Sequence, residues 1–211
     1  LPILLERLDH LTSSFSAKCI HTIAIKTNPH LQLLKTIVEA GYGLEAASME
    51  EVQLALKAGC PADKVVFDSP VKTRDEIDQV AGLNGMLINV NSIEELNRFP
   101  EDSTCLIGIR INPQVHTGGP EMFDVSRNES KFGIAIENKQ EIIRAALKYP
   151  VHALHMHSGS QMKNLEVQRQ ALESLKLLAD EINTKEPGKI HTLDIGGGLP
   201  SESIHSSSNM S

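Results

Sequence analysis

Cys19-Ile20-His21-Thr22-Ile23-Ala24-Ile25-Lys26-Thr27-Asn28-Pro29 is the stretch whose reading separates two fold classes. Its β-branched residues predict a strand over 20–26. Directly after it stands Lys-Thr-Asn-Pro, at the place where a doubly wound nucleotide-binding fold carries its glycine-rich turn. Strand alternation puts Ile23 and Ile25 on one side, Ala24 and Lys26 on the other. With helices over the isoleucines, Lys26 points inward. Desolvation there eases loss of its proton and leaves a nucleophilic amine, the chemistry of a Schiff-base lysine. A lysine snorkelling from a strand end to solvent is the competing reading.

Outward from this segment, strand-length apolar runs alternate with helical patterns. The predicted strands are 20–26, 44–46, 65–68, 86–90, 106–111, 151–157 and 192–195; the predicted helices are 3–16, 31–40, 49–58, 74–81, 93–98, 139–148 and 165–183. Ser48 with Glu51, Thr73 with Glu76 and Ser92 with Glu95 have capping-box spacing, and Gly41 and Gly59 follow predicted helix ends. Strict alternation implies a parallel sheet with helices outside. The polar residues of interest (Lys26, Glu45, Arg110, His157, Gly196) fall at the carboxyl ends of different strands, as in a barrel active site. The expectation is therefore an α/β fold, a (β/α)8 TIM-type barrel, incomplete at about seven βα units. The connection from Asn112 to Glu137 has no clear period, and a loop of that length is expected to be functional or mobile.

Composition narrows the function. The chain has 211 residues, 40% hydrophobic, with no Trp, 3% aromatics and a net charge of −7, which disfavours nucleic acid as partner. No apolar run approaches the roughly 20 residues of a membrane span. The first residues lack a basic segment of signal-peptide type, so a cytoplasmic protein is expected. Cys19, Cys60 and Cys105 are isolated, which fits reduced thiols, and the nine histidines show no metal-ligand spacing. The chain starts without Met and closes in the polar run Ser201 to Ser211. Residues 1–200 read as one partial barrel domain and 201–211 as a tail, in a chain missing its C-terminal half.

Asp194-Ile195-Gly196-Gly197-Gly198 follows a strand, where successive backbone N–H groups can form an anion concavity; a plain flexible turn is the alternative. In the strand from Val151, His155 and His157 share a face, and a buried imidazole must be hydrogen-bonded. His155 reads as a satisfied core histidine. His157 is a candidate to stack on a flat ring, with Ser160 donating to a phosphate. Arg110, on the parity opposite Ile109 and Ile111, needs an anionic partner inside a barrel. Glu45 could be that partner or could orient a cofactor, and a structural salt bridge competes for both.

Taken in order, Ala24-Ile25-Lys26-Thr27-Asn28, Gly41-Tyr42-Gly43-Leu44-Glu45-Ala46-Ala47-Ser48, Ser130-Lys131-Phe132-Gly133, His157-Ser158-Gly159-Ser160-Gln161 and Asp194-Ile195-Gly196-Gly197-Gly198 resemble the diaminopimelate/ornithine/arginine decarboxylase family. This is the pyridoxal-phosphate group on the alanine-racemase-type barrel. Asn112-Pro113 and the Ser-Lys-Phe-Gly-Ile run look closest to the diaminopimelate branch. The resemblance implies a carboxy-lyase acting on diaminopimelate or a related basic amino acid, and a homodimer. It implies that Lys26 holds pyridoxal phosphate as a Schiff base, that His157 stacks on its ring, and that Ser160 and Gly196 to Gly198 bind its phosphate. Arg110 and Lys131 would lie near the cofactor or a subunit interface. Relatives carry Asp where this chain has Glu45. They also continue into a Glu-Pro-Gly-Arg segment, a Cys and a Tyr within a β-rich C-terminal domain, which is absent here, so the 211-residue piece alone is expected to be inactive. An amino-acid racemase on the same barrel and a non-catalytic decarboxylase-like regulator are the rival readings.

Overall fold

The computed structural model describes residues 2–115, 130–159 and 165–198. They fall into two compact units. Of the described residues, the first comprises 2–90 and 97–107, the second 91–96, 108–115, 130–159 and 165–198.

The first unit opens with helix α1 (Pro2–Ser13) and continues β1 (Thr22–Ala24), α2 (Leu31–Glu39), β2 (Gly43–Ala46), α3 (Met49–Lys57), β3 (Val65–Phe67), α4 (Arg74–Ala81) and β4 (Leu87–Val90). β1, β2, β3 and β4 are neighbours in that order, and each pair is parallel. The helices form because apolar residues recur every three or four positions and one face is buried: Leu34 and Ile37 in α2, Val52 and Ala55 in α3, Ile77, Val80 and Ala81 in α4. α2 and α3 pack on β2. Full burial of a side chain such as Ile77 contributes about 1.5–3 kcal/mol.

The second unit holds α5 (Ile93–Leu96), most of β5 (Leu106–Asn112), β6 (Ile134–Ala135), α6 (Lys139–Lys148), β7 (Val151–Met156), α7 (Leu165–Lys185) and β8 (Thr192–Asp194). β6 pairs with β5 and β7 with β8, again in parallel. α7 packs on β7 and on α6. Parallel strands alternating with helices in chain order make this an incomplete TIM-type barrel fold, as the alternation predicts.

Three expectations need correction. The first strand stops at Ala24, and Ile25–Thr27 form a 3-10 turn. Thr27 Oγ1 donates to Ala24 O at 2.7 Å and the Asn28 N–H to Ile25 O at 3.0 Å, while Pro29 cannot donate to a ladder. Strand parity therefore does not govern Lys26. Second, β6 lies within the connection expected to lack regular structure. Third, Thr73 and Glu76 close a full capping box, whereas at Ser48 the hydroxyl accepts from the Glu51 N–H without the reciprocal bond. Glu51 and Glu95 reach one residue further back, accepting from Ala47 and Asn91 N–H at 2.7 and 2.9 Å.

One buried cation stands out in the first unit. Lys72 is 1% exposed, and its Nζ donates to Ser69 O at 2.8 Å and to Asn89 O at 2.6 Å, past the end of β3 and within β4.

Candidate functional site

At the carboxyl end of β1, the turn Ile25–Thr27 buries Ile25 completely and turns Lys26 outward. The Lys26 side chain is 57% exposed. The inward, desolvated lysine expected from parity is thus not what the chain builds, because the turn replaces the last step of the strand. Its neighbour is a carboxylate. In the parallel register Glu45 lies opposite Ala24, the residue before the turn, and its Oε1 stands 3.5 Å from Lys26 Nζ. Exposed ion pairs contribute about 0–1 kcal/mol, so stability alone gives this pair little reason to exist. Glu45 itself is 16% exposed, held in a strand whose other residues are buried.

In the second unit β7 delivers two histidines. His155 is 3% exposed, a core histidine whose Nδ1 lies at ion-pair distance, 2.9 Å, from Asp194 Oδ2. His157, just past the strand, is half-buried, and its Nδ1 accepts from the Gly197 N–H at 3.4 Å. Gly196 has φ +64°, and an added Cβ would stand 2.5 Å from Met156 O and 3.0 Å from His157 Nδ1. The glycine loop is therefore seated against the end of β7 rather than loosely extended. Arg110 is buried, and its guanidinium lies 4.9 Å from the centre of the Phe132 ring, which Lys131 Nζ approaches to 5.2 Å. The Ser130–Gly133 run is anchored by Asn91, whose Nδ2 donates to Lys131 O at 3.1 Å and whose Oδ1 accepts the Gly133 N–H at 2.8 Å. Ser160 lies outside the described residues.

Two contacts were not foreseen from the sequence: the His155–Asp194 pair, and Gln168 of α7, whose Nε2 donates to Ile195 O at 3.2 Å. An aspartate two residues before a glycine is a local signal for a side-chain turn, and Asp194 Oδ1 does accept the Gly196 N–H at 3.0 Å. The cross-strand partner required the β7–β8 register, which pairs His155 with Asp194.

A pyridoxal phosphate needs an amine for its aldehyde, a surface for its ring and N–H donors for its phosphate. The residues fit those needs: an accessible amine beside a carboxylate in the first unit, and in the second an imidazole against a glycine turn that a Cβ would fill. Among the described residues no cluster of three or more His, Cys, Asp and Glu could hold a metal, and no helix is long and apolar enough to cross a membrane.

Comparison with known proteins shows the family. The family model described as pyridoxal-dependent decarboxylase, pyridoxal binding domain, matches residues 4–211. Diaminopimelate decarboxylase of Pseudomonas aeruginosa is 34% identical over 184 residues, which is 83% of this chain and 44% of that protein. Its counterpart in Aquifex aeolicus is 31% identical over 203 residues, 92% of this chain and 48% of that protein. The crystal structure of diaminopimelate decarboxylase from Helicobacter pylori complexed with L-lysine superposes with a TM-score of 0.82 at 27% identity, over 95% of this chain and 52% of that one. The chain thus spans about half the length of the curated relatives it matches.

Proposed function

The chain belongs to the pyridoxal-dependent decarboxylase family through its pyridoxal-binding domain, and from that premise we propose that the whole protein removes the carboxylate of diaminopimelate or a related basic amino acid. Bound pyridoxal phosphate supplies an aldehyde for an amine and a ring that takes up the electron pair released as carbon dioxide leaves. Lys26 Nζ would be the amine that holds the cofactor. Glu45 Oε1, 3.5 Å away, orients this nitrogen through their ion pair. His157 presents its imidazole to the cofactor ring, with Nδ1 steadied by the Gly197 N–H. Gly196, Gly197, Gly198 and Ser160 take the phosphate, and Arg110 stands near the cofactor or at a subunit interface.

The observation that carries this reading is an accessible lysine beside a carboxylate at the end of a parallel strand, where solvent-exposed ion pairs add little to stability. Diaminopimelate as substrate rests on the names of the relatives from Pseudomonas and Aquifex. A homodimer follows from the family resemblance alone. A cytoplasmic location is supported by three free cysteines, two of them buried. Residues 1–200 are read as one pyridoxal-binding domain and 201–211 as a tail; the family match itself covers residues 4–211.

The test is to load the full chain with pyridoxal phosphate, reduce it with borohydride and map the modified peptide. The mass is expected on Lys26 and lost in Lys26→Ala. Carbon dioxide release by the whole protein from diaminopimelate, lysine, ornithine and arginine then ranks the substrates. Modification at another lysine, unchanged in Lys26→Ala, would overturn the proposal.

A further inference from the structure

We propose that His155 and Asp194 are positioning residues that set the shape of the glycine loop and thereby its affinity for the anionic end of the cofactor. The inference rests on the reading above that this loop holds a phosphate. Neither residue is placed in contact with the cofactor; both act through the backbone of residues 195–197.

One carboxylate has two tasks. Asp194 is the last residue of β8 and lies directly opposite His155 of β7 in the parallel register. Its Oδ2 faces His155 Nδ1 at 2.9 Å, with the two side chains 21% and 4% exposed. Its Oδ1 accepts the Gly196 N–H at 3.0 Å, closing a side-chain turn that folds the chain back just past the strand. That turn fixes Gly196 in the left-handed region, where it meets the end of β7 so closely that no Cβ fits. Gln168 Nε2 holds the preceding carbonyl of Ile195, and His157 Nδ1 takes the following Gly197 N–H. Two consecutive peptide groups, 195–196 and 196–197, are therefore held by three side chains.

Electrostatics gives the pair its second purpose. A bare carboxylate two residues from an anion cradle would repel an incoming phosphate, most strongly where water is scarce. An imidazole whose Nδ1 lies 2.9 Å from Oδ2 offsets part of that negative charge when it is protonated. The same carboxylate then serves as a backbone acceptor without excluding the ligand. A loop shaped before the ligand arrives pays no ordering cost on binding.

The experiment compares pyridoxal phosphate with pyridoxal, which lacks the phosphate, in titrations of the cofactor-free full chain. Wild type, His155→Leu, Asp194→Ser and Asp194→Ala are measured, each with a thermal melt. The serine hydroxyl can still accept from the N–H two residues on, but loses the contact with His155. Asp194→Ala is expected to weaken pyridoxal phosphate about 10–100-fold, the range for losing a charge-assisted hydrogen bond. His155→Leu and Asp194→Ser should lose less, while pyridoxal affinity stays within about 3-fold throughout. If Asp194→Ala does not fold, the other two variants decide. Equal weakening of both ligands, or folded variants that keep the wild-type preference for the phosphorylated ligand, would overturn the pair's role. A wild type without that preference would instead remove the phosphate reading on which the role rests.

Discussion

Replacing Gly196 by alanine discriminates a loop held by close packing from one that is merely supple. At φ +64° an L-residue costs roughly 1–2 kcal/mol. The new Cβ would stand 2.5 Å from Met156 O, 3.0 Å from His157 Nδ1 and 3.2 Å from His157 Cα. Two of these neighbours are backbone, so the end of β7 must retreat by several tenths of an ångström, at a further cost of about 1–3 kcal/mol. The expected total is roughly 2–5 kcal/mol. Gly197 is the internal control, because an added Cβ there meets nothing within 4 Å. Thermal unfolding of the cofactor-free chain is the assay. At roughly 2–4 °C per kcal/mol for a chain of this size, Gly196→Ala should lower the midpoint by about 4–20 °C. Gly197→Ala should leave it within about 2 °C. Equal losses at the two positions, or a Gly196→Ala midpoint matching wild type, would refute the packed loop.

Two further outcomes follow from buried groups outside that loop. Lys72→Met leaves the carbonyls of Ser69 and Asn89 without their ammonium donor. Release from burying a charge offsets part of that, so a net loss of about 1–3 kcal/mol is expected in denaturant melts, and an unchanged or raised stability would show the ammonium to be structurally idle. His152, half-buried, has its pKa held below the ordinary 6.5 by burial first, then by His191 and Lys189. Because the folded pKa is the lower one, its contribution to stability is present above 6.5 and lost as pH falls through the folded value. His152→Gln should flatten the decline in melting midpoint between about pH 7.5 and pH 5, and an identical slope in the variant would remove His152 as a source of acid sensitivity.

What was legible in the sequence is local. Apolar period and caps located every principal strand and helix to within a few residues, since burying one face of a helix or both faces of a parallel strand leaves a repeat of its own. Lys26, Glu45, His157 and Gly196 stood out because polar or conformationally special residues at strand ends have few structural uses. The error at Lys26 has a local cause too: parity holds only while the strand continues, and Thr27, with Pro29, ends it at Ala24.

Only the tertiary structure decided what faces what. That Glu45 stands beside Lys26 depends on the register that sets it opposite Ala24. That Asp194 serves both His155 and Gly196 depends on β7 and β8 being parallel neighbours. Lys26 and Glu45 are 19 positions apart and His155 and Asp194 39, and side-chain alternation constrains each strand alone, leaving the register between strands to packing of the whole sheet.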